Sequence, residues 1–245
     1  LQPPTRDAVR AAFDRLVRVL GPEDLLLVVL LGHGTWDGVD AKFNLVGPDL
    51  DAGEWRELLR PVRARVVLVN TTGASFPFLE RLAGPKRIVI TATASAAQRY
   101  DTVFPEYFIE SLGDPAADLD KDGRVSLLEA FSAASRRVRQ HYDERGQLAT
   151  ERALLDDTGD GIGKEAGAAG PDGAVAARTF FDAAVTPSAA DPVLADLLQR
   201  RAALEAQVDE LRARRPLMPA EDYAREFERL MIELARISRE IRKRS

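Results

Sequence analysis

Three apolar runs organise the first part of the chain. Leu25-Leu26-Leu27-Val28-Val29-Leu30-Leu31 is apolar at every position, the pattern of a central parallel strand buried on both faces. Val66-Val67-Leu68-Val69 repeats it, and 87–90 predicts a third buried strand. Helical patterns separate them. Thr5 is a good N-cap, Val9, Ala12, Phe13, Leu16 and Leu20 follow at helical spacing, and Gly21-Pro22 stops that helix. Short helices are predicted over 53–59 and 78–82, then longer ones over 104–112 and 127–141. The stretch 156–173, rich in Gly and Asp, predicts a long surface loop, and 174–185 a closing strand or short return element. Strands alternating with helices imply an α/β fold with a mostly parallel sheet flanked by helices. Ligands of such sheets bind at the carboxyl ends of the strands, where His33, Thr72 and Thr91 fall.

After a linker at 186–190 the pattern changes. Leu194, Leu197, Leu204, Val208 and Leu211 follow a three-four spacing, with Arg201 at the one missing seam position. Pro216 and Pro219 interrupt it, and Tyr223, Phe227, Leu230, Leu234, Ile237 and Ile241 resume it. The expectation for 191–245 is a heptad-patterned antiparallel helical hairpin. Its stripe serves a protein partner or self-association, or packs on the α/β domain of residues 1–185.

Composition narrows the chemistry. A net charge of -5, with basic residues scattered rather than in a stripe, argues against a nucleic-acid platform. No apolar stretch approaches the length of a bilayer span. The chain has no cysteine, which excludes disulfides, thiolate metal sites and a Cys nucleophile together. It begins Leu1-Gln2-Pro3-Pro4 without an initiator Met, so an upstream piece is expected to have been removed, and a cleaved signal peptide would fit.

The first strand delivers Gly32-His33-Gly34, followed by Lys42-Phe43-Asn44-Leu45. The second delivers Asn70-Thr71-Thr72-Gly73-Ala74-Ser75, and the third Thr91-Ala92-Thr93-Ala94. These strand ends, in this order, resemble clan CD cysteine peptidases (the caspase, metacaspase and legumain group), most closely bacterial caspase-like or C13-type domains. The resemblance covers about residues 5–185 and implies a caspase-like sandwich. It puts Thr72 where the nucleophilic Cys belongs, or Thr71 if the register slips by one, with His33 as the base. The family normally carries a further strand and helix ahead of the helix at 5–20. A Thr hydroxyl is far less acidic than a thiol and attacks only with a base directly hydrogen-bonded to it. The resemblance therefore implies a degenerate dyad, a pseudopeptidase. The backbone N–H groups of Gly34 and residue 72 would still form an oxyanion hole able to hold a peptide carbonyl.

One motif stands apart from that rim. Asp118-Leu119-Asp120-Lys121-Asp122-Gly123-Arg124-Val125-Ser126-Leu127-Leu128-Glu129 matches an EF-hand loop. Asp118, Asp120 and Asp122 stand at positions 1, 3 and 5, with Gly at 6 and the Arg124 carbonyl at 7. Ser126 stands at 9 and Glu129 at the bidentate position 12. Calcium wants six to eight hard oxygens, and this spacing wraps them round one ion. The alternative is a solvated acidic loop capping the helix that follows. Asp156 and Asp160 begin a partial copy, with Gly161 at position 6, but position 12 is Gly167 and Glu165 stands at 10. The resemblance implies a shared structural role for the two loops.

The expected function is that of a calcium-binding pseudopeptidase domain acting in protein binding or scaffolding, with no organic cofactor. The competing expectation is a working hydrolase that uses Thr72, Thr71 or Ser75 with His33. A third is a purely structural contribution to a larger assembly. An extracytoplasmic setting, periplasmic or secreted, where calcium is plentiful, is favoured over the cytosol.

Overall fold

The computed structural model describes residues 3–96, 98, 100–181 and 218–242, with isolated positions between 193 and 215. The linker expected at 186–190, the seam position Leu194 and Pro216 lie outside the described residues. The chain divides into two compact units. One holds the described residues up to Ala117 and from Val125 to Phe181. The other holds Asp118–Arg124 and the described residues after 181.

The first unit is a mixed α/β structure built on a mostly parallel sheet. β1 (Leu25–Leu30), β5 (Arg65–Asn70) and β6 (Arg87–Thr91) run parallel, and β7 (Leu154–Asp156) closes the order β1-β5-β6-β7 antiparallel to β6. The helices are α1 (Arg6–Val19), α2 (Ala52–Leu59), α3 (Phe76–Leu82), α4 (Phe104–Gly113) and α5 (Leu127–Glu144).

The period-two rule of strands decides which helices cover which face. Val66 and Leu68 of β5 point into a cluster with Phe13 of α1, Trp55 of α2 and Phe78 of α3. Val67 and Val69 point the other way, into a cluster with Phe104 and Phe108 of α4 and Phe131 of α5. Each of those Phe rings is fully buried, worth about 1.5–3 kcal/mol apiece relative to exposure.

Local chemistry starts the helices where the sequence suggests. Thr5 Oγ1 accepts from Ala8 N (3.2 Å), and reciprocal capping boxes open α2 (Asp51, Glu54) and α5 (Ser126, Glu129).

Three elements differ from expectation. A small antiparallel sheet, β2 (Gly34–Trp36), β3 (Ala41–Phe43) and β4 (Leu50–Asp51), follows β1 directly. Its strands are too short and too mixed to show a period. The closing strand is β7, and the described part of 174–185 takes the other expected form, a short return element with a 3-10 turn at Ala176–Arg178. The stretch 156–173 is not a plain surface loop either, because Asp156, Asp157 and Asp172 are buried within it. Backbone N–H groups account for that burial. Asp157 accepts from Gly173, Val175 and Ala176 at 2.8 Å each, and Asp172 accepts from Asp157 and Thr158.

In the second unit, described positions from 193 to 211 are helical and α6 spans Ala220–Arg242. Leu204, Val208 and Leu211 pack with Leu230, flanked by Tyr223, Phe227, Leu234 and Ile237. The heptad stripe is thus the internal seam between these helical segments. Asp222, Arg225, Glu226, Arg229 and Glu233 of α6 are exposed and pair with one another.

Glu151 carries an energetic prediction. It is buried, and it accepts from Val103 N (2.8 Å) and Phe104 N (3.1 Å) at the start of α4 and from the Tyr142 hydroxyl (3.0 Å). Glu151→Ala orphans those donors and should destabilise the fold by about 2–4 kcal/mol in urea unfolding. Desolvation holds the carboxyl above the ordinary glutamate range, against the lowering effect of the two N–H donors. In the window between the ordinary and the raised value, the folded state keeps a proton that the unfolded chain has lost. Its contribution to stability therefore falls as pH rises through that window, and Glu151→Gln should flatten the slope.

Candidate functional site

Parallel pairing sets three strand ends side by side. Leu30 of β1 lies opposite Asn70 of β5, and Asn70 opposite Thr91 of β6. His33, Thr72 and Thr93 follow those ends, so the topology brings the residues of the expected dyad to one rim. The side chains do not form a dyad. His33 is exposed, and its Nδ1 lies 3.0 Å from Oδ1 of Asp101, itself exposed. Thr72 is 2 % exposed, and its Oγ1 has no hydrogen-bond partner among the described residues.

Gly34 explains that burial. A Cβ on Gly34 would lie 2.5 Å from Thr72 Oγ1, so the backbone of β2 covers the hydroxyl and only glycine allows the approach. The amide of Thr72 donates to Asn70 Oδ1 at 3.0 Å, which engages the N–H expected for an oxyanion hole.

The other candidate nucleophiles have structural partners. Thr71 Oγ1 donates to the Leu30 carbonyl at 2.8 Å, tying β5 to β1. Ser75 Oγ lies 2.9 Å from Thr93 Oγ1 and accepts from Thr93 N at 3.1 Å, tying the start of α3 to the segment after β6. Both are buried. Asp101, which orients His33, falls in a stretch without periodicity, and nothing in the sequence singles it out.

The loop over 118–129 closes round its own carboxylates. Asp118 accepts from Asp122 N (3.1 Å) and Gly123 N (2.9 Å), and Asp122 Oδ1 accepts from Arg124 N (2.7 Å). Gly123 turns the chain with φ +87°, the conformation that position 6 requires. Asp118 is buried in the second unit, and Glu129 is buried in the first, where it opens α5. The donor set, all hard oxygen, fits calcium or another hard cation. Glu129 acts as a helix cap. Its Oε2 accepts from Ser126 N (2.9 Å) and Ser126 Oγ (2.8 Å), closing the capping box of α5.

Asp122 bonds a residue far along the chain, within the second unit. Its Oδ2 lies 2.7 Å from Nη2 of Arg201, and its carbonyl accepts from Arg201 Nη1 at 3.3 Å. The one signal for Arg201 in the sequence is a charge on an apolar seam.

The second acidic loop follows the same path over its first half. Asp156 accepts from Gly161 N (2.9 Å) as Asp118 does from Gly123, and Asp160 accepts from Ile162 N (2.8 Å) as Asp122 does from Arg124. It then diverges, because Glu165 pairs with Arg152 at 3.2 Å.

No protein-family model matches the chain, and no curated protein matches it. Among solved structures it is similar to the crystal structure of protein GSU0716 from Geobacter sulfurreducens, at 16% identity and a TM-score of 0.43. That match covers 62% of this chain and 73% of that one. Among the described residues no helix is long and apolar enough to cross a membrane.

The state of Thr72 makes a prediction. Thr72→Val replaces a buried, unpartnered hydroxyl with a methyl group and should leave stability unchanged or raise it by about 1 kcal/mol in urea unfolding. A loss of that size would mean that the hydroxyl is hydrogen-bonded, as a nucleophile paired with His33 would be.

Proposed function

We propose that this chain is a calcium-binding, caspase-like pseudopeptidase domain that works by protein binding or scaffolding rather than by hydrolysis. The observation that carries the reading is the EF-hand spacing of Asp118, Asp120, Asp122, Ser126 and Glu129, with Gly123 at φ +87° where position 6 turns the loop. A bound ion would add its binding energy to folding. The caspase-like part rests on the order of the strand ends, with Gly32-His33-Gly34 after β1 and Asn70-Thr71-Thr72 after the adjacent β5. Hydrolysis by Thr72 would need its hydroxyl bonded to His33. The covered hydroxyl and the outward His33–Asp101 pair favour a rim that binds without cleaving. The partner would be a protein, met through that rim or through the outer faces of the C-terminal helices.

Thermal melting tests the calcium reading. Millimolar calcium should raise the melting temperature of the wild type by several degrees, as about 3 kcal/mol of ligand linkage does for a domain of this size. Glu129→Gln keeps a side chain able to close the capping box but removes the ligand charge, and it should abolish the rise. A rise that survives in the variant puts the ion elsewhere. A diverse peptide library incubated with the chain in calcium should stay uncleaved. Cleavage lost in both His33→Ala and Thr72→Ala would make the protein a threonine-dependent hydrolase.

A further inference from the structure

Arg201 and Asp122 form a buried ion pair inside the second unit, with side chains 10% and 9% exposed. The pair is charge-assisted and doubled, because Arg201 also donates to the Asp122 carbonyl. Two features of Asp122 make this pair more than a packing contact. It occupies position 5 of the loop, the position that contributes its carboxylate to an EF-type site. Both of its carboxylate oxygens are also engaged inside the second unit, one accepting from Arg124 N and the other from the Arg201 guanidinium.

We propose that Arg201 competes with the metal ion for Asp122, so that calcium loading of the loop and docking of the segment that carries Arg201 oppose each other. The inference rests on the calcium reading of the loop. A cation at the centre of the loop must recruit the Asp122 carboxylate to complete its oxygen shell. It would then face a guanidinium bonded to that same group, and two like charges a few ångströms apart in a partly dry site repel strongly. The ion weakens the ion pair, and the ion pair weakens ion binding by the same factor, as linkage requires. The position of Arg201 fits this role. A heptad seam prefers an apolar residue, and a charge there lowers helical packing unless it has a partner. The guanidinium bonds Asp122, so drawing that carboxylate to an ion takes this contact away from the segment that carries Arg201.

The test has two arms, each run on the full chain. Calorimetric titration with calcium chloride should show Arg201→Gln binding calcium about tenfold or more tighter than the wild type. Hydrogen exchange followed by mass spectrometry should show that calcium lowers protection over 193–211 in the wild type and leaves it unchanged in Arg201→Gln. The wild-type exchange arm needs no variant, so a poorly folded Arg201→Gln does not blunt the test. Equal or weaker calcium affinity in the variant, or a rise in wild-type protection over 193–211, overturns the competition while the calcium site stands. Absence of saturable binding in both proteins overturns the calcium reading and this inference with it.

Discussion

β5 runs between β1 and β6 with Val66, Val67, Leu68 and Val69 each no more than 2% exposed, and this pairing is the constraint on which the first unit depends. A strand apolar on both faces can be satisfied only with a strand on each side and a layer of helices above and below. Alternation along it hands Val66 and Leu68 to α1, α2 and α3, and Val67 and Val69 to α4 and α5. Parallel pairing also aligns the carboxyl ends of the three strands, which is why His33, Thr72 and Thr93 share a rim. The backbone is responsible for the gathering of this rim. Side-chain chemistry then decides that it is not a dyad, through Gly34 covering Thr72 and Asp101 holding His33.

The two acidic loops show how similar local geometry serves different ends. In both, the first aspartate accepts from the position-6 glycine and the fifth from the residue two on. What separates them is the far end. Glu129 opens α5 through its capping box, whereas Glu165 pairs with Arg152. The second loop instead staples the chain with buried carboxylates on backbone N–H groups, through Asp157 and Asp172.

What could be read from the sequence was local or strongly periodic. The all-apolar runs at 25–31 and 66–69 predicted parallel strands, and Thr5 marked a helix start that its hydroxyl caps in the fold. The motif at 118–129 was legible because its candidate ligands lie within twelve consecutive residues and need no tertiary information. The strands of the second sheet and β7 were not legible, being two or three residues long with no period to detect. The partners of the site residues were illegible for another reason. Asp101 is 68 residues from His33, and Arg201 is 79 from Asp122. Spacing carries no information at such separations. Arg201 left one trace, as the charged residue in an otherwise apolar stripe.

The central claim is that the loop at 118–129 holds one hard divalent cation and that the loop at 156–161 holds none. Equilibrium dialysis of the metal-stripped chain against radioactive calcium measures that directly. The account predicts saturation at one ion per chain. Saturation at zero would remove the metal from the account and leave Glu129 a helix cap, and saturation at two would contradict the structural role given to the second loop.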